Sequence, residues 1–152
     1  MSGVSITALI NKMHLRLLNN QINTDKIKLI HPDINRPALQ LSGFYDHFDN
    51  ERVQIIGHVE YAYINQMDAK RRLDMYEKLL SSKIPCIVYS SSMEPDDAFL
   101  KIASEYGVPV MVSEKATSVL MAEIIRWLNV ELAPTISIHG VLVDVYGEGV
   151  LI

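Results

Sequence analysis

Residues 85–131 decide the fold, and they read PCIVYSSSMEPDDAFLKIASEYGVPVMVSEKATSVLMAEIIRWLNVE. Two short apolar runs, at 85–89 and 109–112, predict buried strands. A helical pattern follows each of them, at residues 95–106 and at residues 116–131. A chain that alternates strand, helix, strand, helix favours a mainly parallel sheet covered by helices.

The first of these helices has recognisable start and stop residues. Pro95 favours the start of a helix, and the carboxylates of Asp96 and Asp97 suit its positive N-terminal turn. Gly107 is a typical helix terminator. The serine run at 90–92 precedes the helix and allows two interpretations. It either binds a phosphate through hydroxyls and amides or forms a turn that helps to cap the helix.

The upstream half extends the same pattern. A helix is predicted over residues 68–81, and one of its faces is expected to carry Leu73, Tyr76 and Leu80. Asp68 is spaced to pair with Arg72 on this helix. The predicted upstream elements are a helix capped by Ser5, strands at 15–18, 27–30 and 53–57, a helical turn opened by Pro37, and this helix over 68–81.

The character of the sequence changes near Pro134. Residues 135–152 have no helical pattern, are rich in β-branched residues, and end within the apolar run at 149–152. We therefore expect an α/β domain over residues 1–132. Residues 133–152 are then a linker and the first strands of a second unit that continues further.

Composition excludes several classes of protein. The 152 residues are 49% hydrophobic and 21% charged, as in an ordinary globular domain and unlike a disordered or fibrous chain. The net charge of −4 argues against a generally basic nucleic-acid binder. A signal peptide and a membrane-length apolar stretch are both missing, so we expect a cytoplasmic protein without membrane association.

Few residues suggest chemistry by themselves. The single cysteine, Cys86, begins an apolar strand and is expected to be inert core. His139 stands beside Gly140, where a ligand could approach closely, and its imidazole could act as acid, base or phosphate contact, or be merely structural. Arg36 lies among turn residues, where its guanidinium either binds an anion or forms a surface salt bridge. Phosphate-loop, dinucleotide and zinc-protease motifs are missing from the sequence.

Four segments together resemble the N-terminal part of the bacterial HPr kinase/phosphorylase family. Residues 33–44, DINRPALQLSGF, are similar to the family's D-I-S-R-P-G-L-E-L-T-G-Y. Residues 51–57, ERVQIIG, are similar to E-R-I-Q-L-L-G, and residues 84–88, IPCIV, to T-P-C-I-I. The strongest match is LAPTISIHGVLVDVYG at 132–147, which is close to identical to the family pattern. The resemblance covers essentially the whole chain.

This resemblance implies an architecture and an activity. The expected fold is a three-layer α/β/α sandwich on a mixed, mainly parallel sheet, similar to the N-terminal domain of Mur ligases. The full-length enzymes phosphorylate a serine of the phosphocarrier HPr with ATP or pyrophosphate, and dephosphorylate it by phosphorolysis, in carbon catabolite regulation. His139 corresponds to the family's active-site histidine.

The resemblance also assigns cofactors and partners. ATP and Mg²⁺ serve the full-length enzyme, whose hexamers form through the catalytic domain. The family's phosphate loop follows shortly after the segment that ends at Ile152, so we expect this chain alone to be inactive and to hold no cofactor. The alternative is a regulatory module that recognises a small anion or nucleotide near Arg36. Two positions depart from the pattern: Asn35 replaces a serine, and Ala38 replaces a glycine, which puts any special backbone angle at 38 in doubt.

Overall fold

The computed structural model of the chain describes residues 3–134, in which short strands alternate with helices. Residues 135–152, and with them the predicted second unit, lie outside this range. A short 3₁₀-helix at Thr24–Lys26 separates the second and third strands. The elements in chain order are β1 (Val4–Ser5), α1 (Ile6–Met13), β2 (Arg16–Leu17), β3 (Lys28–Leu29), β4 (Ile34–Asn35), α2 (Ala38–Leu41), β5 (Val53–Ile56), α3 (His58–Gln66), α4 (Ala69–Leu80), β6 (Ile87–Tyr89), α5 (Asp97–Glu105), β7 (Val110–Val112) and α6 (Thr117–Glu131).

The central sheet has five strands in the order β2-β7-β6-β5-β4. Strands β4 to β7 are mutually parallel, and β2 closes one edge antiparallel to β7, with Arg16 opposite Val112. Strands β1 and β3 form a separate antiparallel pair. Because β4, β5, β6 and β7 are neighbours in both sequence and space, each connection between them crosses over one face of the sheet.

Alternate residues of the strands pack against two different helical layers. Ile56, Ile87 and Tyr89 belong to a core shared with α2, α3, α4 and α5. Val53 and Val88 face the opposite way, into a core shared with α1 and α6. The period of two in a strand produces this division. The predicted three-layer α/β/α sandwich on a mixed, mainly parallel sheet is therefore confirmed, whereas the likeness to Mur ligases stays a prediction.

Local signals explain where the helices begin and end. The Ser5 hydroxyl accepts a hydrogen bond from the Ala8 amide at 3.0 Å, as the predicted cap of α1. Asp96 caps α5 in the same way, through the Phe99 amide at 2.9 Å. Gly107 has a φ of +71° and ends that helix in a backbone conformation that favours glycine.

Two details of the helical predictions are wrong. In α4 the core is contacted by Met75, Tyr76, Leu79 and Leu80, and Leu73 is 45% exposed, because the helix is rotated away from the predicted face. Within residues 3–134 the expected Asp68–Arg72 pair is not formed. Asp68 instead caps α4 by accepting from the Arg71 amide at 2.8 Å.

Residues around Pro37 and residues 58–66 also differ from expectation. Pro37 precedes α2 as its cap residue rather than opening its first turn. Ala38 is an ordinary first helical residue with a negative φ, so this position needs no glycine. Helix α3 had no sequence prediction, because its only buried residues are Glu60 and Ile64 and the pattern of an apolar stripe is missing.

Candidate functional site

The four parallel strands end at one edge of the sheet, which we call the carboxyl edge. Arg36 follows β4, Gly57 follows β5, Ser90 follows β6 and Ser113 follows β7. In open α/β sheets this edge is where ligands generally bind, because loops and helix N-termini converge there. Here the edge is built from side chains that contact one another.

A buried ion pair dominates this edge. The Arg36 guanidinium donates from Nε to both carboxylate oxygens of Glu60 at 3.1 Å, and from Nη2 to Oε1 at 2.8 Å. The Glu60 side chain is 4% exposed, and that of Arg36 is 31% exposed. Glu60 Oε1 also accepts from the Gly57 amide at 2.7 Å, which satisfies one of the free N–H groups at the start of α3. Of the two interpretations of Arg36, an ion pair is present, and it is buried rather than superficial.

Gly57 brings α6 against this pair. A Cβ atom at position 57 would lie 2.7 Å from Arg36 Nη2 and 2.9 Å from Thr117 Cγ2. Only glycine allows such close approach of a strand end to a helix start. Thr117 in turn shares a 2.6 Å hydrogen bond with the Ser90 hydroxyl. Two hydrogen-bonded pairs, Arg36–Glu60 and Ser90–Thr117, therefore lie next to Gly57.

The serine run does not present its amides to a ligand. Ser91 and Ser92 have positive φ values, and their amides donate to the carbonyls of Lys115 and Ser113, each at 2.8 Å. The Met93 amide donates to the Ser90 carbonyl at 3.1 Å. Helix α5 is capped by Asp96, so the run does not cap it. The predicted turn between strand and helix is therefore present and also joins the loops after β6 and β7, whereas its predicted capping of the helix is wrong. Phosphate binding by the hydroxyls stays a prediction.

The Nη1 nitrogen of Arg36, which does not contact Glu60, faces a shallow groove beside α6. Nη1 lies 3.5 Å from the Met121 sulfur, and the groove is lined also by Thr117, Ser118 and Ile125. The Glu60 carboxylate already balances the guanidinium charge. Anion binding at Arg36 stays a prediction.

The structure tests the prediction for Cys86 but not the one for His139. His139 lies outside the described residues, and its role stays a prediction. Cys86 is fully buried, and burial raises the pKa of its thiol to about 12, which keeps it protonated and unreactive at neutral pH. The expectation of an inert core cysteine is confirmed.

Residues 3–134 contain neither a cluster of metal-ligating side chains nor a helix suited to a membrane. No three His, Cys, Asp or Glu side chains in this range cluster so that they could hold a metal ion. None of its helices combines the length and apolar character that crossing a bilayer requires.

Sequence reasoning missed Glu60 and Thr117. The sequence signal for Glu60 is that it stands three residues after Gly57. In a capping box, a glutamate at this spacing accepts a hydrogen bond from the backbone amide of the residue that precedes the helix. Thr117 carried no signal that a single sequence reveals, since its partners lie on other elements.

Comparison with known proteins now adds to this geometry. A family model described as "HPr Serine kinase N terminus" matches residues 4–128. An HPr kinase/phosphorylase of Lachnoclostridium phytofermentans is 53% identical over 152 residues, covering 100% of this chain and 49% of that protein. The corresponding protein of Caldicellulosiruptor bescii is 41% identical, with 97% and 47% covered. That of Alkaliphilus metalliredigens is 38% identical, with 100% and 49% covered.

A solved structure shares the fold. The regulatory region of Clostridium perfringens pyrophosphatase, with CBS and DRTGG domains and complexed with the activator diadenosine tetraphosphate, matches with a TM-score of 0.52 at 10% identity. The match covers 80% of this chain and 46% of that one, and it concerns the fold alone.

The chain spans about half the length of the curated relatives it matches. The family model covers most of the chain, and the relatives align with nearly all of it. The chain therefore belongs to the family of the HPr serine kinase N terminus.

Proposed function

We propose that this chain is the N-terminal half of a bifunctional HPr kinase/phosphorylase. The observation that carries the proposal is the 53% identity that extends over the whole chain and half of the relative. In the proposed reaction a serine hydroxyl of HPr takes the terminal phosphoryl group of ATP, or one phosphoryl group of pyrophosphate. In the reverse direction inorganic phosphate attacks the phosphorus of the phosphoserine, the serine O–P bond breaks, and the products are pyrophosphate and the free serine hydroxyl. Both reactions would serve the cytoplasmic control of carbon catabolism.

The chemical machinery is proposed to lie mainly beyond Ile152. Phosphoryl transfer needs cations around the transferring oxygens and a positioned nucleophile. A phosphate loop and Mg²⁺ would supply the cations. The family resemblance places His139 in the active site, where its imidazole either contacts the phosphate or tunes the base. The Arg36 charge is balanced by Glu60 within the described domain, which supports a structural rather than catalytic role for this domain. We therefore expect residues 1–152 alone to be inactive, and hexamers to form only through the catalytic domain.

The decisive experiment compares the full-length protein with residues 1–152. Each is incubated with HPr, ATP and Mg²⁺, and phosphoserine on HPr is measured by mass spectrometry. We expect phosphorylation by the full-length protein and none by residues 1–152. The variant His139→Ala should lose most of the activity, whereas His47→Ala, at an exposed histidine, should retain it. Transfer by residues 1–152 alone, or an inactive full-length protein, would contradict the proposal.

A second candidate function is recognition of a small anion or nucleotide at the carboxyl edge. One observation favours it: within residues 3–134 Arg36 Nη1 has only the Met121 sulfur as a partner, and it faces the groove that includes Thr117 and Ser118. Because Glu60 already neutralises the guanidinium, we expect weak binding, with a Kd on the order of 1 mM. Calorimetric titration with inorganic phosphate and uridine nucleotides tests this, and heat no larger than that of dilution would exclude it.

A further inference from the structure

A groove of about 530 Å³ lies between the last turn of α1 and the C-terminal half of α6. Its apolar lining comes from Met13 on α1 and from Trp127 and Val130 on α6. Trp127 is partly buried against the core that the two helices share, whereas Val130 is 68% exposed. Residues three apart on a helix lie on the same side. The groove therefore presents a small apolar patch that residues 3–134 leave uncovered.

The chain leaves the domain at one end of this groove. Helix α6 ends at Glu131, which itself lines the groove. The Leu132 amide donates to the Leu128 carbonyl at 2.8 Å, which holds the chain against the end of the helix. Pro134 follows, and the residue before a proline favours extended backbone. The continuation of the chain thus starts beside the apolar patch.

The sequence after Pro134 has the pattern that such a patch requires. Residues 135–138 read TISI, so that Ile136 and Ile138 alternate with polar side chains. Side chains of an extended segment point alternately to its two faces, and both isoleucines therefore lie on the same face. An extended segment here has one apolar and one polar face.

The dimensions of the groove and of this segment agree. Four extended residues, from Pro134 to Ile138, span about 13 Å. The groove follows α6 from Val130 back to Glu123, which is about 10 Å of helix axis. Residues 135–138 are therefore long enough to cover the groove if the chain turns back along α6.

Charges favour the same occupant. Lys12 and Arg126 line the groove, and neither forms an ion pair with another residue of the described range. Of the two acids in the lining, Glu123 is already engaged in another ion pair, which leaves Glu131 against two cations. Residues 135–152 contain two carboxylates and neither lysine nor arginine. The groove and the segment thus carry complementary charge.

We propose that residues 135–138 turn back along α6 and cover this groove, with Ile136 and Ile138 against Trp127 and Val130. A small patch suffices, because the direct connection through Pro134 holds the segment at a high effective concentration. His139 directly follows the docked residues, so α1 and α6 support the segment that carries it. The importance of this support for catalysis rests on the proposed function, whereas the docking itself does not.

The first test uses fluorescence, since Trp127 is the single tryptophan of the chain and reports on this groove. Acrylamide quenching of the 152-residue chain is compared with that of Ile136→Ser/Ile138→Ser. This variant should lower the ratio of docked to undocked chain about tenfold or more, because two apolar side chains are lost from the contact. Its Trp127 should therefore be quenched more strongly. The matched control, Val150→Ser/Leu151→Ser, should be quenched like the wild type.

The second test locates the segment by disulfide formation. Ile138→Cys is combined either with Lys12→Cys, inside the groove, or with Asn129→Cys, at an exposed position of α6 outside its lining. The buried Cys86 does not compete. An undirected segment would favour position 129, because the loop closed there is shorter. We expect the pair with Lys12→Cys to have at least about a tenfold higher effective concentration, measured from its equilibrium with glutathione.

Three results would overturn the proposal. Unchanged quenching in Ile136→Ser/Ile138→Ser would show that the isoleucines do not cover Trp127. Equal effective concentrations at positions 12 and 129 would show that the segment does not choose the groove. Quenching of the wild type that weakens as its concentration rises would assign the groove to a second copy of the chain. Neither test measures phosphoryl transfer, so a failure here leaves the proposed function standing, and an inactive full-length protein leaves the docking standing.

Discussion

Arg36 and Glu60 are 24 residues apart in the chain, yet their side chains form a three-contact ion pair at the carboxyl edge of the sheet. Glu60 is almost entirely buried, and the pair joins the end of β4 to the first turn of α3. A carboxylate in such a place depends on its cation, because water cannot replace it.

The first prediction concerns removal of that cation. Arg36→Met leaves the Glu60 carboxylate buried and unpaired, and it should lower the free energy of unfolding by about 2–4 kcal/mol. The double variant Arg36→Met/Glu60→Gln should recover part of this loss. Urea unfolding followed by circular dichroism measures both. The matched control is Arg16→Met, whose pair with Glu94 is more than half exposed and should cost less than about 1 kcal/mol. Equal costs for the two arginines would contradict this account.

The second prediction concerns the close approach at Gly57. In Gly57→Ala the new methyl group would lie 2.7 Å from Arg36 Nη2 and 2.9 Å from Thr117 Cγ2, so α6 or the arginine must shift. We expect a loss of about 1–3 kcal/mol in unfolding free energy. His58→Ala, at the exposed neighbouring position, should change stability by no more than about 0.5 kcal/mol. A neutral Gly57→Ala would mean that the carboxyl edge is more loosely packed than described.

The third prediction concerns Asn19, which continues the hydrogen bonding of the sheet beyond β2. Its Nδ2 donates to the Val108 carbonyl at 2.8 Å, and its Oδ1 accepts from the Val110 amide at 2.9 Å. Because the side chain is buried, Asn19→Ala leaves two backbone groups without partners and should cost about 2–4 kcal/mol. Hydrogen exchange at the Val110 amide should accelerate. Asn20→Ala, at the exposed next residue, should leave both quantities nearly unchanged.

The fourth prediction concerns alkaline pH and Cys86. Its pKa is about 12 in the folded chain against an ordinary value of 9.0, so the unfolded chain loses the thiol proton first as the pH rises. The contribution of this group to stability is complete below pH 9 and decreases towards pH 12. Between pH 9 and 10 the wild type should lose about 1 kcal/mol more than Cys86→Ala does. Urea unfolding at several pH values measures the difference, and an equal slope in the two proteins would be inconsistent with a buried, protonated thiol.

Much of the fold was predictable because its signals are local. The caps at Ser5 and Asp96 and the terminating Gly107 operate within one helical turn, and the apolar runs at 85–89 and 109–112 specify strands by their own composition. Helix α3 was missed for the same reason, since a buried Glu60 interrupts the apolar pattern from which helices are recognised. The face of α4 was misjudged because the rotation of a helix depends on the neighbours it packs against.

The candidate site was predictable only in part. The sequence indicated that Arg36 is unusual, but both an anion site and a salt bridge satisfied the pattern. The hydrogen bond between Ser90 and Thr117 had no sequence signal, because the two residues lie 27 positions apart on different elements.

By itself, the sequence determined the α/β class, the order of most elements, the inert character of Cys86 and the family. Each of these depends on short-range patterns or on similarity along the chain. Tertiary structure alone decided that Arg36 is paired with Glu60 and that the Ser90 hydroxyl shares a hydrogen bond with Thr117 beside Gly57. The physical reason is that a polar group's behaviour depends on burial and on its partners, and folding supplies both from distant parts of the chain.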